Sequence, residues 1–158
     1  MKHTYFYDTL QWTAEGTYYD EEEKSFPLHG EVSILHSETE WSLTGFLEVR
    51  FTGEPVRFTN DYVIKDTDKQ NTLSWESFNP ALGTLKGTFE IVGDSIISFY
   101  QSEDGVYMGT ETLTQAAEKK YYNAGVSFCR GQKMSSWTAI ITQQMTKGGN
   151  QWRQQISK

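Results

Sequence analysis

Few residues in this 158-residue chain have the type and spacing that chemistry needs. Cys129 is the only cysteine, which excludes an intrachain disulfide and a cysteine-based zinc site. It sits between Phe128 and Arg130 in a strand-like run, with no base at a fixed spacing, so it reads as a small core residue rather than a nucleophile. His3, His29 and His36 lack the spacing of a paired metal site. Asp20-Glu21-Glu22-Glu23-Lys24 is a run of consecutive carboxylates that nothing obliges to converge, so it reads as a solvated turn. The loop Asp66-Thr67-Asp68-Lys69-Gln70-Asn71 lacks the central glycine and terminal glutamate of a calcium loop. No nucleophile elbow, phosphate loop or dinucleotide fingerprint is present, and no carboxylate pair is brought together by spacing alone. The sequence therefore nominates no catalytic residue, no metal and no cofactor.

The chemistry that remains belongs to rings and hydroxyls, and strands must position them. Trp12, Trp41, Trp75 and Trp137 each start or centre a run in which apolar and polar residues alternate. The stretch from Thr84 to Leu113 reads as three strands joined by two tight turns. Val92-Gly93-Asp94-Ser95 is a two-residue hairpin signal, and Ser102-Glu103-Asp104-Gly105-Val106 suits a three-residue loop. If Val92 pairs with Ser95, Ile91 faces Ile96, Phe89 faces Ser98 and Gly87 faces Tyr100. If Ser102 pairs with Val106, Tyr100 faces Met108, Ser98 faces Thr110 and Ile96 faces Thr112. These residues then share an inner face, with Lys86, Glu90 and Glu111 outside. So many hydroxyls on an inner face suit a lining that touches water or a ligand, because a dry core must satisfy each of them.

The rest of the chain supplies further alternating segments: Gln11 to Asp20, Leu28 to Ser37, Glu40 to Thr52, Val56 to Thr67, Thr72 to Phe78, Tyr121 to Arg130 and Met134 to Met145. Met1 to Leu10 is aromatic and irregular, a lead-in that packs across one end of the domain. Gln115-Ala116-Ala117-Glu118 reads as one helical turn. Short connections favour antiparallel neighbours, and a large antiparallel sheet must protect its edges. The expectation is an all-β domain over residues 1–146, a single antiparallel up-and-down β-barrel of about 8–10 strands, followed by a polar tail over 147–158. A two-sheet β-sandwich is the alternative. A barrel of about eight strands is filled by its own side chains or holds one small ligand, and about ten should leave a larger cavity.

Charge narrows the partners. A formal net charge of −7 does not suit a nucleic-acid backbone binder. No stretch has the length and apolarity of a membrane span or a secretory signal, so a cytoplasmic protein is expected. A homodimer is an open option.

The hairpin run, with Gly83-Thr84-Leu85-Lys86-Gly87-Thr88-Phe89, Gly93-Asp94 and Tyr107-Met108-Gly109-Thr110-Glu111, resembles the calycin superfamily of lipocalins and fatty-acid-binding-like barrels. Lipocalins usually carry Gly-x-Trp in the first strand, where this chain has Trp12 followed by Gly16. By the same resemblance Arg130 would pack over Trp12. What the resemblance implies is binding or carriage of a small hydrophobic or amphipathic molecule. The expected lining is Trp12, Trp41, Leu43, Trp75, Phe89, Ser98, Tyr100, Met108, Thr110 and Trp137. Two alternatives stand beside it. One is an interaction protein that uses the outer barrel face, with Ile97 and Phe99 as the partner patch. The other is an enzyme acting on a small apolar substrate in the cavity.

Overall fold

Strict alternation with a period of two, interrupted by Gly-, Asp- and Pro-bearing turns, becomes ten strands in the computed structural model, which describes residues 1–80 and 82–144. They are β1 (Gln11–Tyr19), β2 (Ser25–His36), β3 (Trp41–Val49), β4 (Val56–Asp66), β5 (Thr72–Asn79), β6 (Gly83–Val92), β7 (Ser95–Ser102), β8 (Tyr107–Ala117), β9 (Lys120–Cys129) and β10 (Gln132–Gln143). Each strand pairs antiparallel with the next in sequence, and β1 closes on β10 from Trp12↔Gln143 to Tyr19↔Ser136. The protein is thus all-β, a single closed ten-stranded up-and-down barrel rather than a sandwich. Closure protects the sheet edges except where β4 and β5 part. Among the described residues no helix is long and apolar enough to cross a membrane. Gln115–Ala117 extends β8 through a bulge instead of forming a helical turn. The expected tail over 147–158 lies outside the described residues.

The two ends of the barrel differ. One rim carries the β2–β3, β4–β5, β6–β7 and β8–β9 turns and is plugged by the N-terminal segment. There Phe6 adopts φ 67°, an unusual left-handed conformation for a bulky residue, and its ring lies 4.3 Å from that of Phe89. Tyr121, fully buried, receives the backbone N–H groups of Thr4 and Tyr5 on its hydroxyl, at 3.1 and 3.3 Å. With that oxygen already accepting, the hydroxyl proton goes to His3 Nδ1 at 2.9 Å, and His3 Nε2–H donates to Gly93 O at 2.9 Å. His36 Nε2–H donates to Phe6 O at 2.7 Å. These bonds tie the segment across the rim, and Tyr5 and Phe6 add their rings to a core of Trp12, Ile34, Leu43, Ile64, Phe89, Ile96 and Leu113.

The opposite rim has no such plug. Pairing of β4 with β5 is confined to Tyr62↔Ser77 through Asp66↔Leu73, so the wall parts between these strands toward the open rim. Val56 and Phe58, on the inner row by their register with Val49 and Leu47, are consequently 42% and 41% exposed.

Two expectations about packing are corrected. The β6–β7 register is as expected, Gly87↔Tyr100 and Phe89↔Ser98, with Gly93 at φ 60° in the first position of a type II′ hairpin. The β7–β8 register is one residue off the expected one: Tyr100 pairs with Gly109, Ser98 with Glu111 and Ile96 with Leu113. The cause lies in the loop. Ser102 Oγ takes the Tyr107 N–H at 3.0 Å and donates to Asp104, whose carboxylate takes the Val106 N–H at 3.0 Å. These side chains stand in for ladder bonds and absorb one more residue than a three-residue loop holds. Met108 and Thr110 therefore face outward, the Thr110 hydroxyl donating to Ser98 O at 2.8 Å, and neither lines the interior. Arg130 likewise cannot cover Trp12: it lies in the β9–β10 turn at the open rim, while Trp12 is buried at the plugged one.

Candidate functional site

The one-residue shift that turns Met108 and Thr110 outward turns Glu111 inward. It stands mid-barrel on β8, opposite Ser98 of β7 and Gly125 of β9. Among the described residues, and away from the rims, it is the only acidic residue on the inner rows, and no Lys or Arg shares those rows. Glu111 is deeply enclosed by protein and keeps only intermediate accessibility. Burial pushes its carboxyl above the ordinary 4.5, and Asn123 and Trp137 pull it back only in part. Those two groups are themselves engaged: the Trp137 indole N–H donates to Asn123 Oδ1 at 3.1 Å and the Asn123 amide to Thr112 O at 3.2 Å.

Tyrosines complete the shell. Burial first, and then the charge of Glu111, raise the Tyr5 and Tyr62 hydroxyls well above the ordinary 10 and push Tyr100 up to about 12. All three are neutral donors over the ordinary pH range. Tyr5 belongs to the plug, Tyr62 to β4 and Tyr100 to β7, so three separate elements feel the charge of Glu111.

Glycines on the neighbouring strands shape the lumen. A Cβ on Gly87 would lie 2.8 Å from Trp75, one on Gly109 2.4 Å from Tyr100, and one on Gly125 2.2 Å from Trp137. The three rings therefore lie flat against the wall over residues without side chains, instead of projecting into the centre. Trp75 is fixed further by an indole N–H bond to Ser98 Oγ at 3.2 Å and by a stack on Tyr62 with centroids 4.5 Å apart. The result is an aromatic wall with one carboxylate in it. Toward the open rim, Ser77, Ser102, Ser127 and Ser135 supply buried hydroxyls, and Tyr18, Phe26 and Phe51 form a cluster of rings.

The expected lining residues thus divide. Trp75, Ser98, Tyr100 and Trp137 stand on the inner row around Glu111, Trp75 and Ser98 buried and Tyr100 and Trp137 partly accessible. Trp12, Leu43 and Phe89 stand on the inner row but are packed solid beneath the plug. Trp41 sits at the plugged rim, stacked on His36 at 4.2 Å and edge-on to Tyr7 at 5.5 Å. Sequence reasoning missed Glu111, Tyr62 and Asn123. The alternation of β4 did place Tyr62 on a face with Ile64, but only the register of β8 could have brought Glu111 to it.

Two concavities lie outside the lumen. One is a shallow groove across β1, β10, β9 and β8, lined by Thr112, Thr114, Tyr122, Ala124, Thr138 and Ile140. The other is a cleft of about 500 Å³ beneath the β4–β5 loop, between Trp41 and Asp68. Neither holds a buried, uncompensated charge, which is the feature that separates a chemically selective site from a surface hollow.

No protein-family model matches this chain, and no curated protein matches it in sequence. Among solved structures it is similar to an S-type phycobiliprotein lyase, CPES, from Guillardia theta, with a TM-score of 0.63 and 9% identity over 90% of this chain and 92% of that one. At that identity the likeness is one of fold, extending over nearly the whole of both chains. An N-terminal dehydratase from the difficidin assembly line aligns over 92% of this chain and 81% of that one at 8% identity, but its TM-score of 0.28 is too low to bear on the fold.

Proposed function

We propose that the barrel binds a small amphipathic molecule in its lumen, admitted through the open rim, in the manner of a calycin-like carrier. The observation that carries this reading is the flattening of Trp75, Tyr100 and Trp137 over Gly87, Gly109 and Gly125, which keeps large rings out of the centre. Ten strands make the barrel wide enough for a ligand. The fold shared with a phycobiliprotein lyase is consistent with a barrel that handles a small molecule. The lining is Tyr62, Trp75, Ser98, Tyr100, Glu111 and Trp137. Titration with Nile red, a neutral apolar dye, tests the reading. Saturable brightening at about one dye per barrel, reversed by decanol, is expected for an open lumen. A folded protein that leaves the dye dark would sink it.

A second reading, an interaction face on the outer wall, is favoured by one observation. The outward residues of β7 to β10, from Ile97 and Phe99 through Thr110, Thr112, Tyr122, Ala124, Val126 and Ile140, include no Asp, Glu, Lys, Arg or His between the strand ends. Phe99 is 55% and Ile140 45% exposed. Two copies of a chain of net charge −7 could meet there without opposing like charges. Sedimentation velocity checks it: a dimer dissociated by Phe99→Asp is expected, and a monomer at every concentration rules it out.

A further inference from the structure

Deepening the proposed lumen-binding reading, on which it rests, we infer that the ligand presents a cationic or N–H-bearing nitrogen to Glu111, and that molecules with a buried carboxylate are turned away. Every element around the site points to this. Glu111 enters from β8 at mid-barrel, and no Lys or Arg on any inner row stands ready to pair with it. The groups that face it are the Tyr5, Tyr62 and Tyr100 hydroxyls, the Asn123 amide and the Trp137 indole. None of these carries a positive charge. The Asn123 amide and the Trp137 indole are the wall's neutral hydrogen-bond donors toward the carboxylate, and each also has a partner on the wall. An enclosed carboxylate with neutral donors but no counter-charge is costly to keep, and a hydrocarbon-binding barrel would do better with a leucine there.

The lumen's polarity therefore runs opposite to that of a fatty-acid site. A ligand carboxylate brought to this depth would meet Glu111, and two carboxylates at close range cannot both ionise. An amine at the same depth would make a charge-assisted hydrogen bond in a setting of low dielectric, and its alkyl or aromatic remainder would lie along Trp75, Tyr100 and Trp137 toward the open rim. The tyrosines stay neutral at any pH where Glu111 titrates, so they add no charge of their own to the site.

Displacement of bound Nile red by decylamine, decanol and decanoate tests the inference, since the three share a chain and differ at the head. Decylamine is expected to displace the dye at roughly tenfold lower concentration than decanol, and decanoate to be the weakest, as for a hydrogen bond to a charged group. In Glu111→Gln the advantage of decylamine over decanol, measured within that protein, is expected to fall to about twofold or less. A pH series on the unaltered protein gives the same answer without a variant. Decylamine remains cationic throughout, so its advantage should vanish as the pH falls through the Glu111 titration and return above it. Equal displacement by amine and carboxylate, or an amine preference that survives both Glu111→Gln and low pH, overturns the inference while leaving the lumen reading intact. Failure of Nile red and decanol to bind at all removes both together.

Discussion

The two halves of this barrel are built from the same strands and reach opposite ends. Toward the plugged rim, the inner row is Trp12, Ile34, Leu43, Ile64, Phe89, Ile96 and Leu113, each no more than 5% exposed. Toward the open rim, the same strands carry Tyr18, Phe26, Phe58, Tyr100, Gly125 and Trp137, which keep accessible surface, beside Leu28, Val49 and Leu85, which are buried. The difference does not come from hydrophobicity, since both halves are rich in aromatics. It comes from what fills the centre. At the plugged end the N-terminal segment inserts Tyr5 and Phe6 as extra core. At the open end, glycines on the neighbouring strands let the rings lie against the wall. One half carries the extra packing of the inserted segment, and the other, on the proposed reading, is the half left to take a ligand.

The largest expected effect tests the plug. Phe6→Ala removes a ring that is 1% exposed and leaves a void against Phe89, which should cost about 3–5 kcal/mol, read as a shift of the urea midpoint. A loss below about 1 kcal/mol would show that the plugged half does not hold the fold together. Gly125→Ala tests the other half. Its Cβ would fall 2.2 Å from Trp137 Cζ2, so the indole must swing off the wall into the lumen. The expected outcome is a folded protein, weakened by about 1–3 kcal/mol, whose Nile red binding is largely lost. Loss of stability with full dye binding would mean that the ring moved along the wall instead.

The contrast between the halves was only partly legible in the sequence. Alternation placed Trp12, Ala14, Tyr18, Leu43, Tyr62, Ile64, Ala139 and Ile141 on the faces they occupy, because a period of two survives any tertiary context that keeps one face inward. The Gly93-Asp94 turn fixed the β6–β7 register correctly, because a two-residue loop is specified by backbone conformation alone. The next loop was not legible in that way. Its length depends on hydrogen bonds from Ser102 and Asp104, and a slip of one residue exchanged Met108 and Thr110 for Gly109 and Glu111. Depth was the other unreadable quantity. Nothing in Trp12, Leu43 or Phe89 says whether a ring will insert above it, because that depends on a ten-residue segment folding back over the rim.

Glu111→Gln sharpens the comparison by asking what the open-rim half sacrifices for its carboxylate. In the folded state the carboxyl is held above its ordinary 4.5 by burial, so the folded protein binds a proton that the unfolded chain has already released. Stability therefore declines as pH rises from about 4.5 through the folded-state value, and the full penalty is present above it. The amide removes the charge and keeps the shape. At neutral pH the variant should be more stable by about 1–3 kcal/mol, with the two urea curves converging below the ordinary carboxyl range. A variant less stable than the parent at pH 7 would mean that the carboxylate has a compensating partner in the fold.

The smallest expected effect lies where the wall parts. Phe58 faces inward by register but is 41% exposed beside the gap between β4 and β5, and it has no β5 strand against it. A ring in that position contributes little to packing, so Phe58→Ala should change stability by less than about 1 kcal/mol. Its consequence should be kinetic. A ring at the edge of the opening obstructs the path into the lumen, and its removal should raise association and dissociation rates of Nile red together in stopped flow, with the equilibrium affinity nearly unchanged. The same truncation at Phe6, buried under the opposite rim, should leave those rates governed by unfolding instead. If Phe58→Ala alters neither rate while Phe6→Ala alters both, molecules reach the lumen through the plugged rim, and the assignment of the two ends is reversed.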